Sequence, residues 1–274
     1  MTFDTYPGLL LTLPRTPGQG PGLLHIVTRN LSLVSCLLSL VSRLLSLHTT
    51  IIIPALNEEQ SIGLVVESVK GLVDRVIVVD NGSTDRTVAI AQAAGSHVVH
   101  EPQKGYGAAC LRGLAELSYN PPDVVLFLDG DASDHPEDVL TILNTVMNSN
   151  AEMCLGSRVL GDAERGSLTP VQRFGNWLST RLIAMIWNVH YTDLGPLRAV
   201  RWDTLMRLDM QDRTWGWTVE MQIKVAKHGI AFREIPVRYR RRIGASKISG
   251  TVVGSLRAGT KILATIARLA LSRY

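Results

Sequence analysis

Aromatic residues make up only 5% of the 274 residues, and cysteines number three. Cys36, Cys110 and Cys154 are odd in number, widely separated and in no metal-binding spacing. That argues against a disulfide framework and suits a reducing cytosol. No uncharged run reaches 18 residues, so no segment reads as a clear membrane span. The G-x-x-x-x-G-K-[ST] spacing of a P-loop is missing. So is a G-x-G-x-x-G after the first predicted strand, which removes the dinucleotide-binding fingerprint. Acidic residues are absent from Arg238 to the end, a stretch that holds nine Lys/Arg. With a whole-chain net charge of +4, the remainder stands at −5. A basic end on an acidic body points to a polyanionic partner or to a solvated charged tail. No aromatic-rich or recognised binding motif accompanies the basic run, so nucleic acid is not expected.

What is present is 46% hydrophobic, with charged residues at 19%, the balance of an ordinary α/β protein. Residues 1–30, rich in Gly and Pro, read as disordered. The segment "LSLVSCLLSLVSRLLSL", 31–47, reads either as an interfacial helix or as an upstream extension that the working protein does not need. From Thr49 the pattern sharpens. Continuous apolar runs ("TTIIIPALNEE", "DRVIVVDNGSTD", "DVVLFLD") alternate with helical spacing ("SIGLVVESVKGL", "RTVAIAQAAG", "GYGAACLRGLAEL"). This alternation predicts a mainly parallel sheet with helices on both faces. Beyond residue 150, "AEMCLGSRV" and "AFREIPVRYRRR" read as strands. "VQRFGNWLSTRLIAMIWN" reads as a long helix and "WTVEMQIKVAKHG" as another. Three regions follow: an extension over 1–48, a catalytic domain over 49–249 and a basic amphipathic helix over 250–274. In that helix Val252, Leu256, Leu263, Ile266 and Ala270 share a stripe. The helix is expected to lie on anionic lipid, the alternative being a helix packed back on the domain.

Ligands of parallel sheets bind beyond the carboxyl ends of the strands. Three polar clusters sit at such ends: Asn57-Glu58-Glu59, Asp80-Asn81-Gly82-Ser83 and Asp129-Gly130-Asp131. In "VVLFLDGDASDHPEDV" a greasy strand runs into a knot of carboxylates, which is costly unless a cation sits there. Two acids flanking a glycine suit Mg²⁺ or Mn²⁺, with a diphosphate completing the shell. His135 reads as a helix-start residue beside Pro136, with a metal role as the lesser alternative. Asp80 is a candidate for a ribose or base contact, and Asp85 for a helix cap. Lys104 and Gly105 open a helix whose backbone N–H groups are candidates to face phosphate.

"IIIPALNEE", "VIVVDNGSTDRT", "KGYGAA", "LFLDGDASDHPED", "TDLGPLRA" and "WTVEMQIKVAKHG" occur in the order seen in family 2 glycosyltransferases of the GT-A fold, which they resemble. The resemblance spans roughly residues 49–250 and is strongest to the dolichyl- or polyprenyl-phosphate sugar transferases. It implies that Pro54, Ala55, Asn57, Glu58 and Asp80 hold the nucleotide, and that Asp129 and Asp131 are the DxD pair around metal and diphosphate. Ser133 departs from the pattern, since relatives often carry a Gln there that also meets the metal. "RIGASK" resembles R-x-x-G-x-S-K near the phosphates, which nominates Arg241, Ser246 and Lys247. Arg158 and Arg173 become candidates for an acceptor phosphate. Asp193 and Glu220 fall at acceptor-side positions, where either would serve as base for an alcohol. The implied reaction is an inverting transfer of a hexose from a nucleotide-diphosphate sugar to a polyprenyl phosphate. Other glycosyl acceptors, or a non-catalytic nucleotide-sugar-binding membrane module, are the alternatives. The expected setting is cytoplasmic, peripheral on the cytoplasmic face of a membrane. A sugar-1-phosphate nucleotidyltransferase would want a basic glycine-rich loop after the first strand, where "PALNEEQS" is acidic.

Overall fold

The computed structural model describes residues 47–244 and 252–272. The chain divides after Ser46, and everything below belongs to the unit that begins at Leu47. The expectations for residues 1–46 therefore lie outside the described residues. So do Ser246 and Lys247.

Seven strands form one sheet in the order β3-β2-β1-β4-β6-β5-β7. They are β1 (Thr49–Ala55), β2 (Arg75–Asp80), β3 (His97–His100), β4 (Val124–Phe127), β5 (Met153–Ser157), β6 (Arg198–Arg201) and β7 (Phe232–Pro236). Strands β3, β2, β1 and β4 are mutually parallel. β6 runs antiparallel to both β4 and β5, and β7 is parallel to β5. The sheet is thus mainly parallel, as expected, with one reversed strand that the apolar pattern does not reveal.

The helices are α1 (Ile62–Val69), α2 (Thr87–Ala93), α3 (Tyr106–Leu117), α4 (Pro136–Met147), α5 (Pro170–Trp187), α6 (Trp202–Leu208), α7 (Trp217–Lys227) and α8 (Val252–Leu271). They cover both sheet faces, which is why the strands read as unbroken apolar runs. In β1, Ile52 joins a core with residues of α3 and α7, while Ile51 and Ile53 join a core with residues of α1 and α4. All three are fully buried. Each such isoleucine stabilises the fold by roughly 1.5–3 kcal/mol relative to exposure. One short helix escapes the sequence pattern and one expected strand is cut short. α6 follows β6 without a break, and β7 ends at Pro236, so "VRYRRR" leaves the sheet as an irregular strap.

α5 begins with a capping box. Thr169 Oγ1 accepts from the Gln172 N–H, Gln172 Oε1 accepts from the Thr169 N–H, and Pro170 takes the first helical position. α8 takes the alternative of a helix packed back on the domain. Thr265, Ile266 and Leu269 are buried, the latter two in the same core as α3 and α7. Of the stripe read in the sequence, Ile266 faces inward, whereas Leu263 and Ala270 are exposed. The helix is rotated by about one residue because Ile262, Thr265, Ile266 and Leu269 offer the contiguous packing face. Polar contacts also tie it to the domain. Lys261 pairs with Asp212 at 2.9 Å, and Lys227 of α7 donates to the carbonyls of Leu269 (2.9 Å) and Ser272 (3.0 Å).

Candidate active site

The carboxyl ends of β1, β2 and β4 share one rim, and their loops interlock there. Ala55 lies opposite Asp80 in the β1–β2 register. Just past Ala55 the chain turns sharply, with Asn57 in the left-handed region at φ 53°. The Asn57 N–H donates to Ser83 Oγ at 2.9 Å, and Asn57 Oδ1 accepts from the Thr84 N–H at 2.7 Å. The Glu58 N–H donates to Thr87 Oγ1 at 2.7 Å. Asp80 is fully buried and accepts from the N–H groups of Gly82 (3.2 Å) and Ser83 (3.1 Å). Its Oδ2 also meets His100 Nδ1 at 2.8 Å, a partner that the sequence pattern did not flag. The first helical cap falls on Arg86 rather than Asp85, but Asp85 Oδ1 still accepts from the Thr87 N–H at 2.9 Å.

Beyond β4 the chain forms the acidic turn. Asp131 is buried. Its Oδ1 accepts from the N–H and the hydroxyl of Ser133 at 3.0 and 2.5 Å. Ala132, between them, sits at φ 60°. Ser133 therefore braces Asp131. Asp129 is partly exposed at the mouth of the turn. Burial, and then the Asp131 charge, push its carboxyl up to about 7. Asp134 is buried with both carboxylate oxygens unpartnered, and burial followed by Asp129 and Asp131 raises it well above the usual range. His135 instead precedes Pro136 at the start of α4, with Glu137 and Asp138 in the first turn. Crowded carboxylates with raised proton affinity and an orphaned Asp134 are what a cation would relieve. Among the described residues no three acidic, His or Cys side chains converge as a full ligand set. The all-oxygen chemistry of Asp129, Asp131 and the unpartnered Asp134 suits a hard divalent ion, which would take further ligands from water and phosphate.

A strap over residues 238–243 closes over this turn. The Arg240 N–H donates to the Ser133 carbonyl and the Ile243 N–H to the Asp131 carbonyl, both at 2.9 Å. Arg240 Nε reaches the Ala132 carbonyl. Arg241, nominated by the motif, turns away: its N–H donates to Glu164 and its guanidinium to the Arg165 carbonyl. The neighbouring Arg242 turns in. Its Nη2 lies 2.7 Å from Glu58 Oε1, and its Nη1 lies 3.3 Å from Asp131 Oδ2. A run of three arginines does not show which one faces the acids.

The phosphate-facing amides expected at Gly105 and the start of the helix meet a correction. The Gly105 N–H donates to Asn81 Oδ1 at 2.7 Å, and those of Gly107 and Ala108 donate to the Thr214 and Arg213 carbonyls at 3.1 and 2.9 Å. These amides do not face a phosphate. The glycines admit another backbone instead. Gly105 holds φ 146°, and a Cβ on Gly107 would lie 2.0 Å from the Asp212 carbonyl oxygen. Lys104 itself is exposed.

On the far side, Asp193 and Arg158 form a bidentate pair, Nε–Oδ2 and Nη2–Oδ1 both at 2.8 Å. The Arg158 N–H adds a third contact to Asp193 Oδ2 at 2.9 Å. Burial pushes the Asp193 carboxyl up, but the Arg158 guanidinium and these donors outweigh it and hold the group below its usual range. The Arg158 guanidinium also stacks over the Tyr239 ring, 5.0 Å from its centre. Glu220 is fully buried. It pairs with Lys224 at 3.0 Å and accepts from the N–H groups of Gln211 (3.2 Å) and Asp212 (2.6 Å). None of these partners belongs to the rim clusters. Arg173 is exposed in the first turns of α5. Arg198, unremarked in the sequence, is fully buried and donates to the carbonyls of Thr218 (3.1 Å) and Pro196 (3.3 Å), fixing the loop that carries Asp193.

The model of the glycosyl transferase family 2 domain matches residues 50–207. An uncharacterized glycosyltransferase of Mycobacterium tuberculosis is 33% identical over 209 residues, 76% of this chain and 92% of that protein. A dolichyl-phosphate hexose transferase of Haloferax volcanii is 30% identical over 204 residues, 72% of this chain and 85% of that one. Among solved structures, the glucosyl-3-phosphoglycerate synthase of M. tuberculosis superposes with a TM-score of 0.67 at 21% identity. It covers 84% of this chain and 80% of its own, in a complex with Mn²⁺, UDP and phosphoglyceric acid.

Proposed function

Because the chain belongs to glycosyl transferase family 2, and so is a glycosyltransferase with the GT-A fold, we propose that it transfers a hexose with inversion from a nucleotide-diphosphate sugar to a polyprenyl phosphate. The loops after β1 and β2, with Pro54, Ala55, Asn57, Glu58 and Asp80, form the nucleotide side in this reading. Asp129 and Asp131 hold Mg²⁺ or Mn²⁺ there, beside the diphosphate. A cation so held would offset the charge developing on the leaving diphosphate. Ser133 keeps Asp131 aimed by its two hydrogen bonds, in place of a third ligand.

One observation carries the choice of acceptor. Both carboxylates nominated as bases are already bound to buried cations, Asp193 to Arg158 and Glu220 to Lys224. An alcohol needs its proton removed. A phosphate monoester is largely ionised near neutral pH, with a second pKa of about 6, and needs positive charge instead. Arg173, exposed in the first turns of α5, supplies it in this reading, while Arg158 is taken up by Asp193 and braces the loop behind it. The name of the H. volcanii relative supports the same acceptor.

The membrane contact in this reading is α5. Val171, Phe174, Trp177, Met185 and Ile186 are exposed on it, together with Arg173 and Arg181. Phe174 and Trp177 stack with ring centres 5.8 Å apart. No Asp or Glu lies between Glu164 and Asp193. An apolar, aromatic and basic helix face suits an anionic bilayer surface. Among the described residues no helix is long and apolar enough to cross a membrane.

The test is incubation with a panel of nucleotide sugars, Mg²⁺ or Mn²⁺, and a polyprenyl phosphate. Lipid-linked sugar should form with at least one donor and vanish in Asp131→Asn. Hydrolysis alone, or transfer only to a soluble alcohol, would overturn the acceptor assignment.

A further inference from the structure

Arg242 bridges two acids from different strand ends, Glu58 after β1 and Asp131 after β4. It stands where a cation is needed, and it is not free to drift. The Arg240 and Ile243 N–H groups pin the strap on either side of it to the acidic turn. Its side chain is 29% exposed, so the guanidinium borders solvent while its Nε is buried without a partner. The longer contact, 3.3 Å to Asp131, is the weaker of the two, and Asp131 is also the residue assigned to the metal.

We propose that Arg242 is the resident counter-cation of this site and couples the binding of metal to that of diphosphate. Before ligands arrive it neutralises Asp131. A divalent cation alone must displace it, and that competition weakens metal binding. When cation and diphosphate arrive together, Arg242 releases Asp131 and its planar fork engages the phosphate oxygens, so the charge lost on one side is regained on the other. The anchor to Glu58 keeps the guanidinium within reach. The coupling is reciprocal: whatever the diphosphate gains from bound metal, the metal gains from bound diphosphate. The inference rests on the reading of Asp129 and Asp131 as the cation–diphosphate site, and it adds an order to the loading of that site.

The probes are Mn²⁺ alone, followed by spin resonance, and the preformed Mn²⁺–pyrophosphate complex, followed by calorimetry. Arg242→Gln should bind Mn²⁺ alone about five-fold more tightly, the scale of a partly exposed ion pair. The same variant should bind Mn²⁺–pyrophosphate about ten-fold or more weakly, the scale of a lost charge-assisted contact. Opposite signs are the signature, because a variant that merely loosens the fold weakens both. Arg242→Lys keeps the charge and loses the fork, so it should leave Mn²⁺ affinity near wild type and still weaken the pyrophosphate complex. This holds the test open if the Gln variant folds poorly. If both affinities fall together, or neither moves, the coupling role is wrong. If the wild type binds neither probe, the cation–diphosphate reading itself fails, and this role with it.

Discussion

Replacing Asp193 with Asn separates a structural carboxylate from a catalytic base. In the wild type Asp193 accepts three hydrogen bonds from Arg158, with side-chain exposures of 14% for the arginine and 1% for the aspartate. Removing one partner of a buried pair leaves the other charge uncompensated and costs about 3–5 kcal/mol. Asn keeps one acceptor oxygen, so the lower end, about 3 kcal/mol, applies. For a domain of this size each kcal/mol moves the melting temperature by roughly 2–4 °C, which predicts a fall of about 6–12 °C. Urea denaturation measures the free energy directly. The pH dependence has a definite sign. A carboxyl held below its usual range contributes stability that is present above its unfolded pKa of about 3.9 and is lost as pH falls through the folded value. The gap between wild type and Asp193→Asn should therefore be constant near neutrality and narrow at acid pH. Asn176 of α5 bonds Thr192 and Leu194 on either side of Asp193, so loosening that loop should shift α5 with Arg173, raise the KM for the phosphate acceptor and leave kcat within about ten-fold. General-base loss is worth about 10²–10⁴ in rate. An unchanged urea midpoint with kcat reduced about 10³-fold at constant acceptor KM would refute the structural assignment.

Gly107→Ala should destabilise the protein by about 1–3 kcal/mol in urea, because the new Cβ meets the Asp212 backbone rather than a side chain that can move aside. Unaltered stability with weakened nucleotide affinity would instead mean that the glycine is kept for the ligand. Phe174→Ser/Trp177→Ser should lower binding to phosphatidylglycerol vesicles about ten-fold or more, since burying one such ring is worth roughly 1.5–3 kcal/mol. Equal partitioning of variant and wild type in a vesicle sedimentation assay would remove α5 as the membrane face.

The parts of this molecule that sequence shows well are those governed by local pattern. β1, β2 and β4 are buried on both faces and read as continuous apolar runs. Their polar ends mark the rim because a chain leaving a buried sheet must satisfy its backbone there. The pairing of β6 is different. "LRAV" carries no sign that it runs antiparallel to both of its neighbours. Rotation of α8 hinged on one residue, Thr265, whose hydroxyl hides an inward position from a hydrophobic pattern. The glycines of "KGYGAA" looked like a phosphate cradle because close approach is visible in sequence but the approaching group is not. Here it is the backbone at Asp212–Thr214, more than 100 residues away. Arg242 was hidden for a related reason: in "RRR" all three side chains are alike, and only the strap geometry selects the one that faces Glu58 and Asp131.

The central claim is that the sugar is joined to a lipid phosphate. The most direct measurement offers one labelled nucleotide sugar, chosen from the active donors, to polyprenyl phosphate and unphosphorylated polyprenol at equal concentration. Products are identified by mass spectrometry of the organic phase. The account predicts a hexosyl polyprenyl phosphate and no hexosyl polyprenol. Hexosyl polyprenol, or label that stays wholly in the aqueous phase, would contradict it.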